Sequence, residues 1–488
     1  MLESRKLLRG TAVLTTGRMA GYVLSFLRNL ILARMLAKAD YGLASVFGTA
    51  MALLEVSGNM AFGMQIIQSK QGDTYRFQAS AHALMFLGGL CSAALLVGLS
   101  VPMAHLFRVP HIWWAFALLG VVPMCQGLGH LDVARRQREF DYVPSVAIEL
   151  ASQFLITAAA WPLTVWFGDY RAIVCLMIGK AVSSTAMTYS FARRPYRWAW
   201  EREQMRSMLS FGWPLLLTGL LMFGSQQADQ MLVGSAFSLA VLAEYGLAFS
   251  VVSVPWFMFG QVASALMLPL MSRAQDDPVR LRRQYRVCVQ LAAVAGVLFN
   301  LPLIVAGEQL VTLVFGAKYH GTGAFVALLG TAFAVRFLRY APAEASMAKA
   351  DTLNQFYSNL WRGASLPLAL VVWRAGGTPV QIAGCAVVGE VLAAVFSVVN
   401  LWRRHGVPLR ESYVASAYLF TLMSAGLGFA LLAGKDLTIG WAAAAAIGAF
   451  SMALSVAWFM FPEVARLIID TFRRHALGSH FHRKPQLC

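Results

Sequence analysis

Four basic residues stand inside apolar runs long enough to cross a membrane: Arg18, Arg28, Lys180 and Arg362. A charge at mid-bilayer costs roughly 2.5 to 3.5 kcal/mol on insertion scales, so an intramembrane cation is by default a functional residue. Guanidinium presents paired N–H donors that match phosphate oxygens, and ammonium is a compact point charge; together they offer binding of a multiply charged anion. Arg18 and Arg28 share one helix, where their spacing rises about 15 Å, half of a hydrocarbon core of about 30 Å. At about 100° per residue, Thr11, Thr15, Arg18, Tyr22, Ser25 and Asn29 fall on one stripe with Arg28 at its edge, opposite an apolar face. That pattern describes a helix lining a wet, cationic cavity. The expected substrate-binding residues are Arg18, Arg28, Asn29, Lys180 and Arg362.

Each has a plainer competing role. Lys180 could snorkel or pair with Glu149, although helix-rise arithmetic separates those two by more than about 10 Å in depth. Arg362 could meet substrate or form a buried pair with Glu390 in the next span. Glu55 could orient Arg18 or titrate with a coupling ion. Asp229, in the polar patch Ser225-Gln226-Gln227-Ala228-Asp229-Gln230, could hold a cation or proton or face water. Glu55, Asp229 and Glu390 are therefore the candidates for ion coupling or charge pairing. Arg34 and Lys38 read as outer-end snorkelling residues, and Arg336 and Arg339 as a topology signal at an inner helix end. Neither a metal site, a cofactor nor a catalytic constellation is expected. The six cysteines contain no C-x-x-C, and the histidines form no H-E-x-x-H.

The elements that must position these charges are membrane helices. Of 488 residues, 58% are hydrophobic and 13% charged, against about 25% charged in soluble domains. Fourteen apolar runs stand at 8–36, 42–67, 79–106, 111–131, 143–167, 172–192, 207–235, 241–271, 287–314, 319–341, 353–374, 376–401, 412–434 and 437–460. With the N-terminus cytoplasmic, 29 Lys and Arg residues fall in inside segments and 7 in outside segments. That asymmetry expects both termini in the cytoplasm. It also accounts for the net charge of +17 without nucleic acid as a partner. The basic clusters instead meet anionic lipid headgroups.

Ala39-Asp40-Tyr41-Gly42 reads as a tight turn after the first helix, and Asp40-Tyr41-Gly42-Leu43-Ala44 recurs as Glu244-Tyr245-Gly246-Leu247-Ala248. The expected fold is an all-α polytopic membrane protein with 14 transmembrane helices, two pseudo-symmetric six-helix bundles plus two extra C-terminal helices. The halves would span 1–192 and 207–401, joined by a cytoplasmic linker at 193–206. Helices 13 and 14 would occupy 402–460, ahead of a basic cytoplasmic tail at 461–488. Parallel halves of this kind place a site between them.

The opening Arg28-Asn29-Leu30-Ile31-Leu32-Ala33-Arg34, followed by Met35-Leu36-Ala37-Lys38-Ala39-Asp40-Tyr41-Gly42, resembles bacterial polysaccharide flippases. These belong to the multidrug/oligosaccharidyl-lipid/polysaccharide exporter superfamily. The resemblance covers essentially the whole chain. It implies alternating-access translocation of an undecaprenyl-diphosphate-linked oligosaccharide across the bacterial inner membrane, for O-antigen, capsule or exopolysaccharide biosynthesis. Implied partners are the lipid-linked glycan, membrane lipids, and the polysaccharide polymerase and chain-length machinery. It also implies a diphosphate contact at Arg28 and a groove for the lipid tail on helices 13 and 14. The alternatives are a cation-coupled drug or metabolite exporter of the same superfamily and a membrane glycosyl- or acyltransferase. The first would want acidic residues in the spans. The second would want a D-x-D or H-E-x-x-H cluster or a large extramembrane domain.

Overall fold

The computed structural model describes residues 2–58, 62–432, 437–466 and 469. Within these, the side chains of residues 2–9, 11–12, 55–58, 221–222, 225–226 and 265 are outside the description. The side chain of Thr11, the carboxylate of Glu55 and the tail from residue 470 onward therefore lie outside the description.

Among the described residues the chain is helical without strands. The helices that matter for the site and its frame are α1 (Leu2–Met35), α2 (Lys38–Gly58), α3 (Tyr75–Leu106), the short α4 (Val121–Gly127), α5 (Val143–Phe167), α6 (Arg171–Ser190) and α7 (Arg202–Ala236). They continue as α8 (Leu239–Ser272), α9 (Pro278–Phe315), α10 (Gly323–Leu338), α11 (Leu353–Arg362), α12 (Ser365–Arg374), α13 (Pro379–His405), α14 (Arg410–Leu432) and α15 (Ile439–Met460). Among the described residues nine helices are long and apolar enough to cross a membrane, and the bent pair Pro110–Gly127 with Asp132–Arg138 makes a tenth. The four other expected spans are helical but fall outside that measure. α1, α2 and α7 are long helices that include side chains outside the description, and α11 and α12 are short helices separated by Gly363-Ala364.

The chain divides into two compact units: Met1–Leu247 with Val314–Lys318, and Ala248–Leu313 with Tyr319–Cys488. α7 packs on α2 and α3, so the contact boundary falls beyond the 193–206 stretch that composition marks as a linker. That stretch is strapped along the start of α3. Arg194 pairs with Asp73 at 3.0 Å, Tyr75 Oη donates to the Pro195 carbonyl at 3.2 Å, and Trp198 stacks on Phe86. His82 ties it down further: Nε2 accepts from the Leu131 amide at 3.0 Å, which leaves Nδ1 to donate to the Arg197 carbonyl at 3.2 Å.

In the first unit α1 lies against α5. A Cβ on Gly17 would stand 2.3 Å from Val146 Cγ1, and Thr157 Oγ1 donates to the Leu24 carbonyl at 3.2 Å. Small residues allow such close approach where no hydrophobic effect drives helices together in lipid. α5 stops at Gly168, whose left-handed φ of 69° suits glycine, and Asp169 Oδ1 accepts the Arg171 amide at 2.9 Å to start α6. The two chain segments therefore double back on one another.

The repeated acidic-Tyr-Gly motif does not form the turns. α2 begins at Lys38 and α8 at Leu239, so the first motif lies in the first two turns of α2 and the second in the second and third turns of α8. The reason is contact rather than turn geometry. A Cβ on Gly42 would meet the Leu239 carbonyl oxygen at 2.1 Å, and one on Gly246 would meet Ser45 Oγ at 2.2 Å. Lys38 Nζ closes the junction on Glu244 Oε1 at 2.5 Å, so Lys38 is ion-paired where snorkelling was expected. Arg34 Nε likewise donates to the Val314 carbonyl at 2.7 Å.

In the second unit every residue from Phe325 to Leu338 of α10 is buried, as a helix apolar on all sides should be. α13 starts on a capping box: Thr378 Oγ1 accepts from the Gln381 amide at 3.3 Å while Gln381 Oε1 accepts from the Thr378 amide at 2.8 Å. Polar ties join the unit's helices as well. Tyr285 Oη meets Ser412 Oγ at 2.6 Å, and Tyr418 Oη donates to the Ala453 carbonyl at 2.9 Å.

Candidate anion-binding site

A cavity of about 480 Å³ opens inside the first unit among α1, α2, α4, α5 and α6. Arg28 and Asn29 reach it from α1, Gln126 from α4, Glu149 from α5, and Lys180 and Ser184 from α6. Leu32, Met51, Leu54, Ile173 and Leu176 are among its apolar walls. The positions follow from helix geometry. Arg28 and Leu32 are one turn apart on α1, and Lys180 and Ser184 one turn apart on α6, so each helix turns one stripe to the same space.

Arg28 is held from two sides. Its Nη2 donates to Ser25 Oγ at 3.3 Å, one turn earlier. With the Gln153 amide turned so that its oxygen faces the donors, that oxygen accepts from Arg28 Nη1 at 3.2 Å and from the Ser25 amide at 3.3 Å. Tyr41 and Glu149 stand within electrostatic range. Lys180 Nζ meets Glu149 Oε1 at 3.1 Å, with side chains 39% and 54% exposed respectively. Rise arithmetic set that pair apart because it measures backbone depth on parallel axes. Two long side chains reach along the membrane normal and close the gap. The lining thus carries two cations and one carboxylate, a net charge of +1.

The other expected site residues lie elsewhere. Arg18 is exposed and does not line the cavity, nor do Thr15, Tyr22 and Ser25, so the polar stripe of α1 faces more than one environment. Asp229 is buried in α7. Arg362 belongs to the second unit, where its Nε contacts Glu390 Oε1 at 2.7 Å. Arg336 Nε donates to the same oxygen at 2.7 Å, and Arg339 Nη1 lies 3.4 Å from Oε2. Glu390 is 1% exposed and Arg336 8%. Arg336 also stacks over Phe333 at 4.3 Å. Arg336 and Arg339 are therefore buried partners of Glu390 rather than a solvated topology signal. The apolar helix that carries Arg336 and ends at Arg339 is enclosed by protein on every side, and a charge enclosed that way needs a counter-charge.

Sequence reasoning passed over Gln153 and Gln126. Glu149 and Gln153 are one turn apart on α5, and an acid and an amide at that spacing opposite an arginine helix was the available signal. Among the described residues no group of three or more His, Cys, Asp or Glu is placed to hold a metal.

A model of the family described as polysaccharide biosynthesis protein matches residues 31–323, more than half of the chain. The chain belongs to the polysaccharide biosynthesis protein family. An uncharacterized membrane protein in the cps region of Klebsiella pneumoniae is 23% identical over 337 residues, 67% of this chain and 68% of that protein. Lipopolysaccharide biosynthesis protein WzxC of Escherichia coli K12 is 22% identical over 357 residues, 72% of this chain and 71% of that one. This family member also shares its fold with the lipid II flippase MurJ in an inward closed conformation. The TM-score is 0.67 at 11% identity, over 96% of this chain and 100% of the other. The expected helical transporter fold stands, and the match covers the α1–α6 segment that builds the cavity from residue 31 on.

Proposed function

We propose that this protein carries a polyprenyl-diphosphate-linked oligosaccharide across the bacterial inner membrane by alternating access, without covalent chemistry, for assembly of a surface polysaccharide. The observation that carries the site is the convergence of Arg28 and Lys180 on one cavity inside an apolar bundle. Its 480 Å³ falls in the range of about 300–1,000 Å³ typical of small-molecule pockets. That is room for a headgroup, while the lipid tail and the rest of the glycan lie outside it. A diphosphate diester brings two negative charges to a lining of net +1. Arg28, pre-oriented by Gln153 and Ser25, supplies the fork of donors, and Lys180 adds a point charge by leaving Glu149. Asn29, Gln126 and Ser184 offer hydrogen bonds to the first sugar. Family membership, the lipopolysaccharide biosynthesis name of WzxC and the lipid II flippase name of MurJ support this choice of substrate.

Arg18, about 15 Å along α1 from Arg28, takes the headgroup in the opposite-facing state. The excess of basic residues in alternate connecting segments supports a cytoplasmic placement of both termini. In a strain deleted for this gene, Arg28→Ala at matched membrane levels is expected to lose glycan export. Export at the wild-type rate would overturn the site.

A further inference from the structure

A second concavity, of about 920 Å³, lies on the first unit outside the proposed transport site. It runs along one face of the start of α7. Arg202, Arg206, Leu209 and Trp213 follow one another at helical spacing, and Trp200 precedes them. The opposite face anchors the helix: Met208 is 1% exposed in an apolar cluster, and its carbonyl accepts from Gln65 Nε2 at 3.2 Å. The groove is thus a fixed surface. Among the described residues neither the Arg202 nor the Arg206 guanidinium is ion-paired with an acidic side chain. Arg202 also stands in the first helical turn, where the helix dipole disfavours a cation. Arg202 held against that preference, with Arg206 one turn on, makes a cationic pair suited to an anion supplied from outside the chain.

The groove is graded from one end to the other. The cations stand at the entry, and Leu209 and Trp213 stand deeper, Trp213 about 16 Å along the axis from Arg202. Trp200 at the entry is 64% exposed, as an aromatic ring at a membrane–water boundary is, and Trp213 at the deeper end is 56% exposed and open to an acyl chain. Beyond the arginines, Ser210 is the one hydroxyl in a lining otherwise of Met205, Leu209 and two tryptophans, so the deeper part of the groove suits an acyl chain better than a glycan. A charged head joined to an apolar tail is the matching shape. We propose that this groove binds an anionic phospholipid, its phosphate on Arg202 and Arg206 and its acyl chain along Leu209 and Trp213.

The test uses the full-length protein in dodecyl maltoside micelles, titrated with fluorescently labelled phosphatidylglycerol or phosphatidylcholine. Wild type is expected to prefer phosphatidylglycerol. The double variant Arg202→Gln/Arg206→Gln should lose roughly 30-fold in affinity for it, since each basic residue contributes about 1 kcal/mol toward an anionic lipid. Arg202→Lys/Arg206→Lys keeps the charges and should keep the preference. Equal binding of the two lipids by wild type would overturn the proposal, and that arm needs no variant to fold. Unchanged binding by the glutamine variant would overturn it too. So would displacement of the label by inorganic phosphate, or by lipid-linked glycan where unlabelled phosphatidylglycerol fails to compete.

Discussion

Replacing Glu149 with glutamine deletes the one carboxylate in the cavity lining while keeping its shape. The energy at stake follows from the pair it makes. At 3.1 Å from Lys180, Coulomb attraction is about 1.3 kcal/mol in water and about 5 kcal/mol at an effective dielectric of 20. The side chains are 39% and 54% exposed, so the pair sits at the wet end of that range and its net value is about 1 kcal/mol. Wild-type Lys180 gives up that amount to meet a diphosphate, and Glu149→Gln removes the cost. Equilibrium binding of radiolabelled lipid-linked glycan to purified Glu149→Gln should therefore tighten about fivefold. Lys180→Ala should weaken binding by about 1.5 to 3 kcal/mol, the value of a charge-assisted hydrogen bond. In the double variant the gain from Glu149→Gln should vanish, because the lysine it frees is absent. If Glu149→Gln instead weakens binding as much as Lys180→Ala does, the carboxylate is a ligand for the substrate rather than the counter-ion of Lys180. The electrostatic reasoning would then be wrong.

Three further outcomes are expected. Glu390→Ala strands three buried or half-buried guanidiniums and should lower stability by about 3–5 kcal/mol. Arg362→Ala leaves Glu390 paired with Arg336 and Arg339 and should cost less, as read by thermal unfolding in detergent. Gly42→Ala sets a methyl 2.1 Å from the Leu239 carbonyl and should cost about 1–3 kcal/mol, whereas Gly48→Ala on the same helix meets nothing within 4 Å and should be neutral or slightly stabilising. Asp351, in the loop before α11, tests pH dependence. Burial alone would raise its carboxyl, but bonds from His405 and the Leu353 amide and the charge of Arg404 outweigh that and hold it below the usual value. A depressed carboxyl stabilises the fold above its unfolded value of about 3.9 and loses that contribution as pH falls through the folded value. Asp351→Asn should therefore lower the unfolding temperature at pH 7, and its deficit from wild type should shrink below about pH 4.

What the sequence made legible were properties that composition and period determine. The helical spans follow from apolar runs, and Arg28, Asn29 and Lys180 could be picked out because a charge or amide in such a run is costly. Arg362 was expected to meet substrate with pairing to Glu390 as the competing role, and the structure pairs it with Glu390 at 2.7 Å. Legibility ended where tertiary contacts decide. Glu149 could be placed in depth but not in reach, since a long side chain moves its charge several ångströms from its backbone. Arg336 and Arg339 carry the same letters whether they face lipid headgroups or a buried carboxylate, and only the enclosure of α10 separates the two. The acidic-Tyr-Gly repeat was visible as a repeat, but glycine serves turns and close approaches alike, and here Gly42 and Gly246 serve the second. Arg18 and Arg28 share a stripe on a helical wheel, yet about 15 Å of rise brings them to different surroundings.

The central claim is that the Arg28–Lys180 cavity carries the headgroup of a lipid-linked glycan through the membrane. Its most direct test is translocation in proteoliposomes loaded with fluorescent polyprenyl-diphosphate glycan, with label in the outer leaflet destroyed by an impermeant reductant. Wild-type protein is expected to expose label from both leaflets. Arg28→Ala, folded and reconstituted at equal density, should leave close to half of it protected. Equal loss of label with wild type and with Arg28→Ala would contradict that claim.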